Sequence, residues 1–284
     1  MLLSTVLVLF LGSLVFKDII WSRLPSGAST PFLAVTRQSV TGVQILDAGR
    51  ETDLYNRKGT WYLKRAGVEY LADQVRVNAL LDAVFSFKKG DVYSTNKKNH
   101  RELGIDKQRI VIRNDKGAVT VYVGSAYTLS QRYIRFATED EVYAGEGFDD
   151  AFTSPDYRDL ALHLVTNPEQ VSRISYESPQ RSSLYEKTKN DWQADGVKLA
   201  REKMDFFLND IQSLKAADIE PKSRVQLPDR AFSLTVQEAG VSRAAVFFAK
   251  DETEYFMTVN DGPLVYTVKS GLVESLKKTP EDLQ

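Results

Sequence analysis

The sequence predicts an α+β fold made by tandem duplication. A strand-strand-helix-strands unit with mostly antiparallel sheets is given twice, after one N-terminal transmembrane helix. Three recurrences carry this reading. Val40-Thr41-Gly42-Val43-Gln44-Ile45 returns as Val171-Ser172-Arg173-Ile174-Ser175-Tyr176. Leu54-Tyr55, followed by Trp61, returns as Leu184-Tyr185, followed by Trp192. The apolar stripe Val77, Leu80, Leu81, Val84, Phe87 returns at the same spacing as Met204, Phe207, Leu208, Ile211, Leu214. Self-similarity at a long, fixed period marks a repeated supersecondary unit. The i, i+3, i+4, i+7 spacing of the stripe gives each copy a helix with one buried face.

The first unit is expected over residues 38–165. Val40 to Leu46 reads as its first strand and Trp61-Tyr62-Leu63 as part of its second, after the Arg57-Lys58-Gly59-Thr60 turn. Asp73 suits an N-cap for a helix from Gln74 to Phe87, because its side chain can accept from the first free amides. Arg109 to Arg113 and Ala118 to Val123 alternate as strands, and Asn114-Asp115-Lys116-Gly117 joins them as a hairpin. Tyr133 to Phe136 and Glu141 to Ala144 follow as strands, and Phe148 to Leu164 reads as a connector.

The second unit is expected over 166–284 in the same order. Its strands fall at Val171 to Tyr176 and around Trp192, and its helix at Arg201 to Lys215. Further strands are expected at Ala231 to Val236, Ser242 to Phe248, Tyr255 to Val259 and Leu264 to Val268, with Asn260-Asp261-Gly262-Pro263 as the last tight turn.

Composition bounds the function classes. With 284 residues, 43% hydrophobic and 26% charged, the chain can bury two cores. Its 37 basic and 38 acidic residues leave a net charge of -1 and no basic stripe, which argues against a nucleic-acid partner. The lack of cysteine excludes disulfides, thiol nucleophiles, cysteine-ligated zinc and a lipoprotein anchor.

Residues 1–22 read as a transmembrane anchor and 23–37 as a linker. The uncharged run Leu2 to Phe16 reaches about 22 Å as a helix, short of a bilayer core of about 30 Å. Ile19-Ile20-Trp21 supplies the missing length, with Lys17 snorkelling and Trp21 at the interface. Two other readings stay open: a signal peptide cleaved near Ser26-Gly27-Ala28, and a buried helix. Leu24 to Pro31 is turn-rich, as a juxtamembrane linker would be.

Chemistry is sparse. The two histidines, His100 and His163, have no second histidine at i+3 or i+4, so neither starts a zinc face. Glu139-Asp140-Glu141 falls at an expected hairpin tip, and Asp149-Asp150 lacks the alternating oxygen ligands of a calcium loop. Gly145-Glu146-Gly147 is too short for a phosphate loop, and no Gly-x-Ser-x-Gly elbow occurs. Trp61 and Trp192 hold matching positions, so a shared core role is expected of both. No catalytic, cofactor-binding or metal-ligating residue is singled out, and no cofactor is expected.

The order of several short motifs resembles a bacterial domain-of-unknown-function family, number 4340. Leu71-Ala72-Asp73-Gln74-Val75 with Leu80-Leu81 is similar to its Ala-Asp-Gln helix entry. Glu102-Leu103-Gly104-Ile105-Asp106 resembles its Gly-Leu-Asp segment. Tyr133-Ile134-Arg135 with Val142-Tyr143 resembles its paired strands, and Asp156-Tyr157-Arg158-Asp159 the segment closing its first unit. Two features depart from the pattern. The N-terminus lacks a basic cluster, and the second unit has Ala200-Arg201-Glu202 where the first has Ala72-Asp73-Gln74.

The resemblance implies a membrane-anchored, extracytoplasmic, two-unit protein associated with ABC transport systems of the gliding-motility type. The expected function is therefore that of a non-enzymatic accessory protein on the cytoplasmic membrane. The bulk of the chain would lie outside, contacting an ABC-type permease or another envelope protein. The rivals are a ligand-binding module with a site between the units, and an envelope hydrolase with a dispersed site.

Overall fold

The structure, a computed structural model, describes residues 35–87, 92–146, 148, 152 and 156–284. The expected anchor over 1–22, most of the linker and the Asp149-Asp150 pair lie outside the described residues. No helix among the described residues is long and apolar enough to cross a membrane. The chain divides into two compact units, Met1–Arg158 and Asp159–Gln284. The stretch after Asp159 goes with the second unit because its backbone bonds there: Leu162 N–H donates to Leu214 O at 3.2 Å and Ala216 N–H to Leu160 O at 2.8 Å.

In the first unit the strands are β1 (Val40–Asp47), β2 (Arg50–Arg57), β3 (Thr60–Arg65) and β4 (Val68–Leu71), then helix α1 (Gln74–Ser86). β5 (Val92–Ser94), β6 (Gln108–Asn114), β7 (Gly117–Ala126), β8 (Gln131–Phe136) and β9 (Val142–Glu146) follow. They form one nine-stranded sheet in the order β4-β3-β2-β1-β6-β7-β8-β9-β5.

The second unit contains β10 (Val171–Glu177), β11 (Ser182–Thr188), β12 (Asp191–Ala194), β13 (Val197–Lys198) and helix α2 (Arg201–Gln212). β14 (Asp218–Pro221), β15 (Arg230–Glu238), β16 (Val241–Ala249), β17 (Glu254–Val259), β18 (Leu264–Lys269) and the short helix α3 (Ser270–Glu274) complete it. Its nine-stranded sheet runs β13-β12-β11-β10-β15-β16-β17-β18-β14, the same order strand for strand. Every strand pairing is antiparallel.

The duplication extends to details that sequence similarity alone does not require. Each unit opens on a single 3-10 turn, Arg37–Ser39 or Pro168–Gln170, that runs straight into its first strand. Each first strand then slips register at its second residue, between Val40 and Gly42 and between Val171 and Arg173. At both slips a hydroxyl donates across the sheet at 3.4 Å, Thr41 Oγ1 to Arg113 O and Ser172 Oγ to Gln237 O. Each tryptophan is the second residue of its strand and is buried, Trp61 at 5% exposure and Trp192 at 3%. Each tryptophan carbonyl accepts from the chain entering the helix, Ala72 N–H at 3.0 Å and Leu199 N–H at 2.9 Å. Both units close by bringing a late carbonyl back to the helix entry, Tyr157 O to Asp73 N–H and Leu283 O to Ala200 N–H.

The helix stripes face the cores as their spacing predicts. All ten stripe residues are 8% exposed or less. The alternate residues of the central strands are buried as well: Val43, Ile45, Ile110, Ile112, Val121 and Ile134 in one unit, and Ile174, Leu234, Val236, Ala245, Phe247 and Met257 in the other. Burial of each of these side chains larger than alanine stabilises by about 1.5–3 kcal/mol.

Three expectations need correction. The unit is four strands, a helix and five strands, because β2, β4, β5 and their counterparts β11, β13 and β14 join the sheet. α1 ends at Ser86, since Phe87 leaves the helix with φ -57° and ψ 127°. α2 stops at Gln212, well before Lys215. Lys215 pairs with Ala161 instead, and Ala217 N–H donates to Thr267 O at 2.7 Å.

The two helix entries differ in one respect. Asp73 caps α1 by accepting from Val75 and Arg76 N–H at 3.0 and 3.1 Å. Ala200, in a similar extended conformation, provides no cap for α2. Asp73→Ala is expected to cost about 1 kcal/mol, and Ala200→Asp to add a similar amount. Urea denaturation of the two variants checks this. A change of the same sign in both would contradict it.

Candidate functional site

Tyrosines from three separate elements meet at the β5 edge of the first sheet. β5 pairs with β9 through an irregular register between Val92 and Ser94, and Tyr93 sits at that irregularity, 51% exposed. Tyr127 follows β7 and is 46% exposed. Tyr133 lies in β8 and is half-buried. The ring centroids are 4.7 Å apart for Tyr93–Tyr133 and 5.4 Å for the other two pairs, with mutual tilts of 52–67°. A hydrogen bond with Tyr93, reinforced by burial, pushes the Tyr133 hydroxyl up to about 12, so it remains protonated at neutral pH.

The next turn is held firmly and presents an apolar tip. Tyr127 N–H donates to Gln131 O at 2.7 Å, and Thr128 Oγ1 accepts from Gln131 N–H at 3.1 Å. Leu129, between them, is fully exposed, and Val92 is exposed beside Tyr93. Tyrosine pairs a large apolar body with a polar tip at low entropic cost, the character of a protein-contact surface.

A different feature occupies the second unit. A cleft of about 620 Å³ lies between α2 and the β11–β12 hairpin. Arg201, Asp205 and Asn209 line its helix side, Lys187 and Asn190 its hairpin side, with Trp192 also lining it. Its charges balance, because Lys187 and Arg201 face Glu169 and Asp205.

The most strongly perturbed carboxylate does structural work. Glu238, at the end of β15, is 3% exposed. It accepts from Thr166 Oγ1 at 2.5 Å, Thr166 N–H at 3.1 Å, Asn167 N–H at 2.6 Å and Arg243 Nη1 at 2.6 Å. Burial would raise its pKa, but these donors win and hold it at about 2. Its four bonds fasten the chain entering β10 to the β15–β16 hairpin.

Each histidine has a close hydrogen-bond partner. His100 Nε2–H donates to Asp140 O at 2.9 Å, tying the turn before β6 to the one between β8 and β9. His163 meets Asp159 at 2.7 Å, and that hydrogen bond raises its pKa. Burial works to raise the Asp159 pKa, but the His163 ring and the Ala161 amide lower it overall. Glu139-Asp140-Glu141 forms the turn between β8 and β9, where Glu139 accepts from the Tyr143 hydroxyl at 3.0 Å and Asp140 pairs with Lys97 at 3.1 Å. Among the described residues no group of three or more histidine or carboxylate side chains is placed to hold a metal ion.

Sequence reading reached neither the tyrosine surface nor the cleft. Tyr93, Tyr127 and Tyr133 belong to no common motif, and the cleft is lined by polar residues from separate elements. The family model described as Domain of unknown function (DUF4340) matches residues 61–229. No curated protein and no solved structure matches the chain.

Proposed function

The chain belongs to the DUF4340 family, and from that premise we propose that it is a non-enzymatic accessory protein of the cytoplasmic membrane. Residues 1–22 anchor it, and its two units stand outside, where they engage an ABC-type permease, of the gliding-motility type, or another envelope protein. The uncharged run Leu2 to Phe16 supports the anchor. The tyrosine surface carries the reading: Tyr93 and Tyr127 are about half exposed beside a fully exposed Leu129. A group of aromatic side chains with an adjoining apolar tip is the usual core of a protein contact.

Two measurements test this. Protease added to spheroplasts is expected to digest both units while the membrane stays sealed; full protection would remove the extracytoplasmic reading. Cross-linking and purification from membranes is expected to recover an ABC permease with the wild-type chain. Recovery should fall at least about tenfold with Tyr127→Ser/Leu129→Asp, a change confined to exposed positions. Recovery unchanged by the double variant, with its melting temperature intact, would exclude this surface. Failure to recover any permease would exclude the transport role.

A further inference from the structure

We infer that the cleft in the second unit is a binding site for a short neutral oligosaccharide. This does not depend on the accessory role proposed above. The first observation is a difference between the duplicated units. In the first unit Arg37, which opens the 3-10 turn before β1, spans to the helix. Its Nη2 donates to Asn78 Oδ1 at 3.4 Å and pairs with Asp82 at 3.0 Å. Arg37 corresponds to Pro168, which opens the turn before β10. Asn78 and Asp82, the fifth and ninth residues of α1, correspond to Asp205 and Asn209 in α2. So the second unit has lost both the cation that bridges this interval and the carboxylate at the ninth helix position. The cleft lies there, lined by Pro168, Asp205 and Asn209.

The lining sets the ligand chemistry. At about 620 Å³ the cleft falls within the usual range for small-molecule sites, roughly 300–1,000 Å³. Its two cations and two carboxylates leave no net charge to favour an anion or a cation. Several of the charged groups are already engaged: Arg201 pairs with Asp205 at 3.8 Å, and Lys187 Nζ donates to Glu169 O at 3.1 Å. The side-chain amides of Asn190 and Asn209, on opposite walls, make no hydrogen bond among the described residues. An amide offers both donors and an acceptor, the complement of a hydroxyl that both donates and accepts. An uncharged molecule rich in hydroxyls meets both of these demands.

Isothermal titration of the full-length chain with maltotriose and chitotriose, with glutamate and spermidine as charged controls, tests this. At least one neutral sugar is expected to bind with a Kd below about 5 mM. Asn209→Ala should weaken it about tenfold, the effect of one lost hydrogen bond. Pro168→Arg/Asn209→Asp rebuilds the bridge of the first unit and should abolish binding while the melting temperature holds or rises. Retention on insoluble chitin, beside a response to soluble chitotriose, would show that a polymer end is accepted as well as a free sugar. No binding by either sugar, tighter binding of a charged control, or undiminished binding by the folded double variant would each overturn the proposal.

Discussion

Replacing Glu238 with alanine is expected to cost about 3–5 kcal/mol, the usual penalty for removing one side of a buried charge network. The side chain is only 4% exposed, and Arg243, at 25%, is its ionic partner. Alanine would leave the Arg243 guanidinium, the Thr166 hydroxyl and amide, and the Asn167 amide without their acceptor. The same contacts make stability depend on pH with a fixed sign. The folded carboxyl titrates at about 2 against 4.5 for a free glutamate, so its contribution is complete above pH 4.5 and fades as pH falls towards 2. The gap is worth roughly 3 kcal/mol. Urea titrations at neutral pH and at pH 3 should therefore show the wild type losing more stability on acidification than Glu238→Ala. Equal losses, or a penalty at neutral pH below about 1 kcal/mol, would mean that this carboxylate does not fasten the segment.

Phe207→Ala should be nearly as damaging, at about 3–5 kcal/mol. The ring is 2% exposed and meets Tyr185 edge-on at 6.0 Å between centroids, so truncation opens a cavity in a packed core and ends an aromatic contact. Its neighbour provides an internal control, because Phe206 is 63% exposed on the same helix. Phe206→Ala should shift stability by no more than about 0.5 kcal/mol. Equal effects at the two positions would show that the helix face has been assigned wrongly.

The helix faces were legible because period 3.6 is a strong pattern over a dozen residues, and it recurs in both copies. The central strands were legible for the same reason at period 2, as in Ile110 and Ile112 of β6 or Phe232, Leu234 and Val236 of β15. The missed strands show where that signal fails. β2 buries only Leu54 along Arg50–Arg57, so its polar residues hide a strand whose pairing on both sides is nonetheless continuous. β5 and β13, with three and two residues, are too short to alternate. Some of the turns did carry a readable cue. Ala66-Gly67 and Asp195-Gly196 occupy matching hairpins with positive φ at both residues, the geometry that favours glycine in the second place. The contacts of Glu238 were not legible, because Thr166 and Asn167 lie 72 and 71 residues away.

The shared strand order also bears on how the chain reaches its fold. Most neighbours in each sheet are joined by hairpins, which close in microseconds. Four pairings are different: β5 with β9 and β14 with β18 join distant strands, and the longest searches are those of β1 for β6 and β10 for β15, where Ile45 must find Ile110 and Ile174 must find Val236 across an intervening meander and helix. Loop-closure entropy is met before those contacts reward it, so these two longest searches are expected to be slower than the hairpins. Because β1 and β10 carry the same slip and the same hydroxyl bond, each is also a plausible decoy for the other's partner. Synthesis from the N-terminus separates the two searches in time, since β6 emerges before β10 exists. A chain released whole from denaturant has no such order. Mispairing between the copies is then an expected hazard of its refolding, one that the order of synthesis avoids.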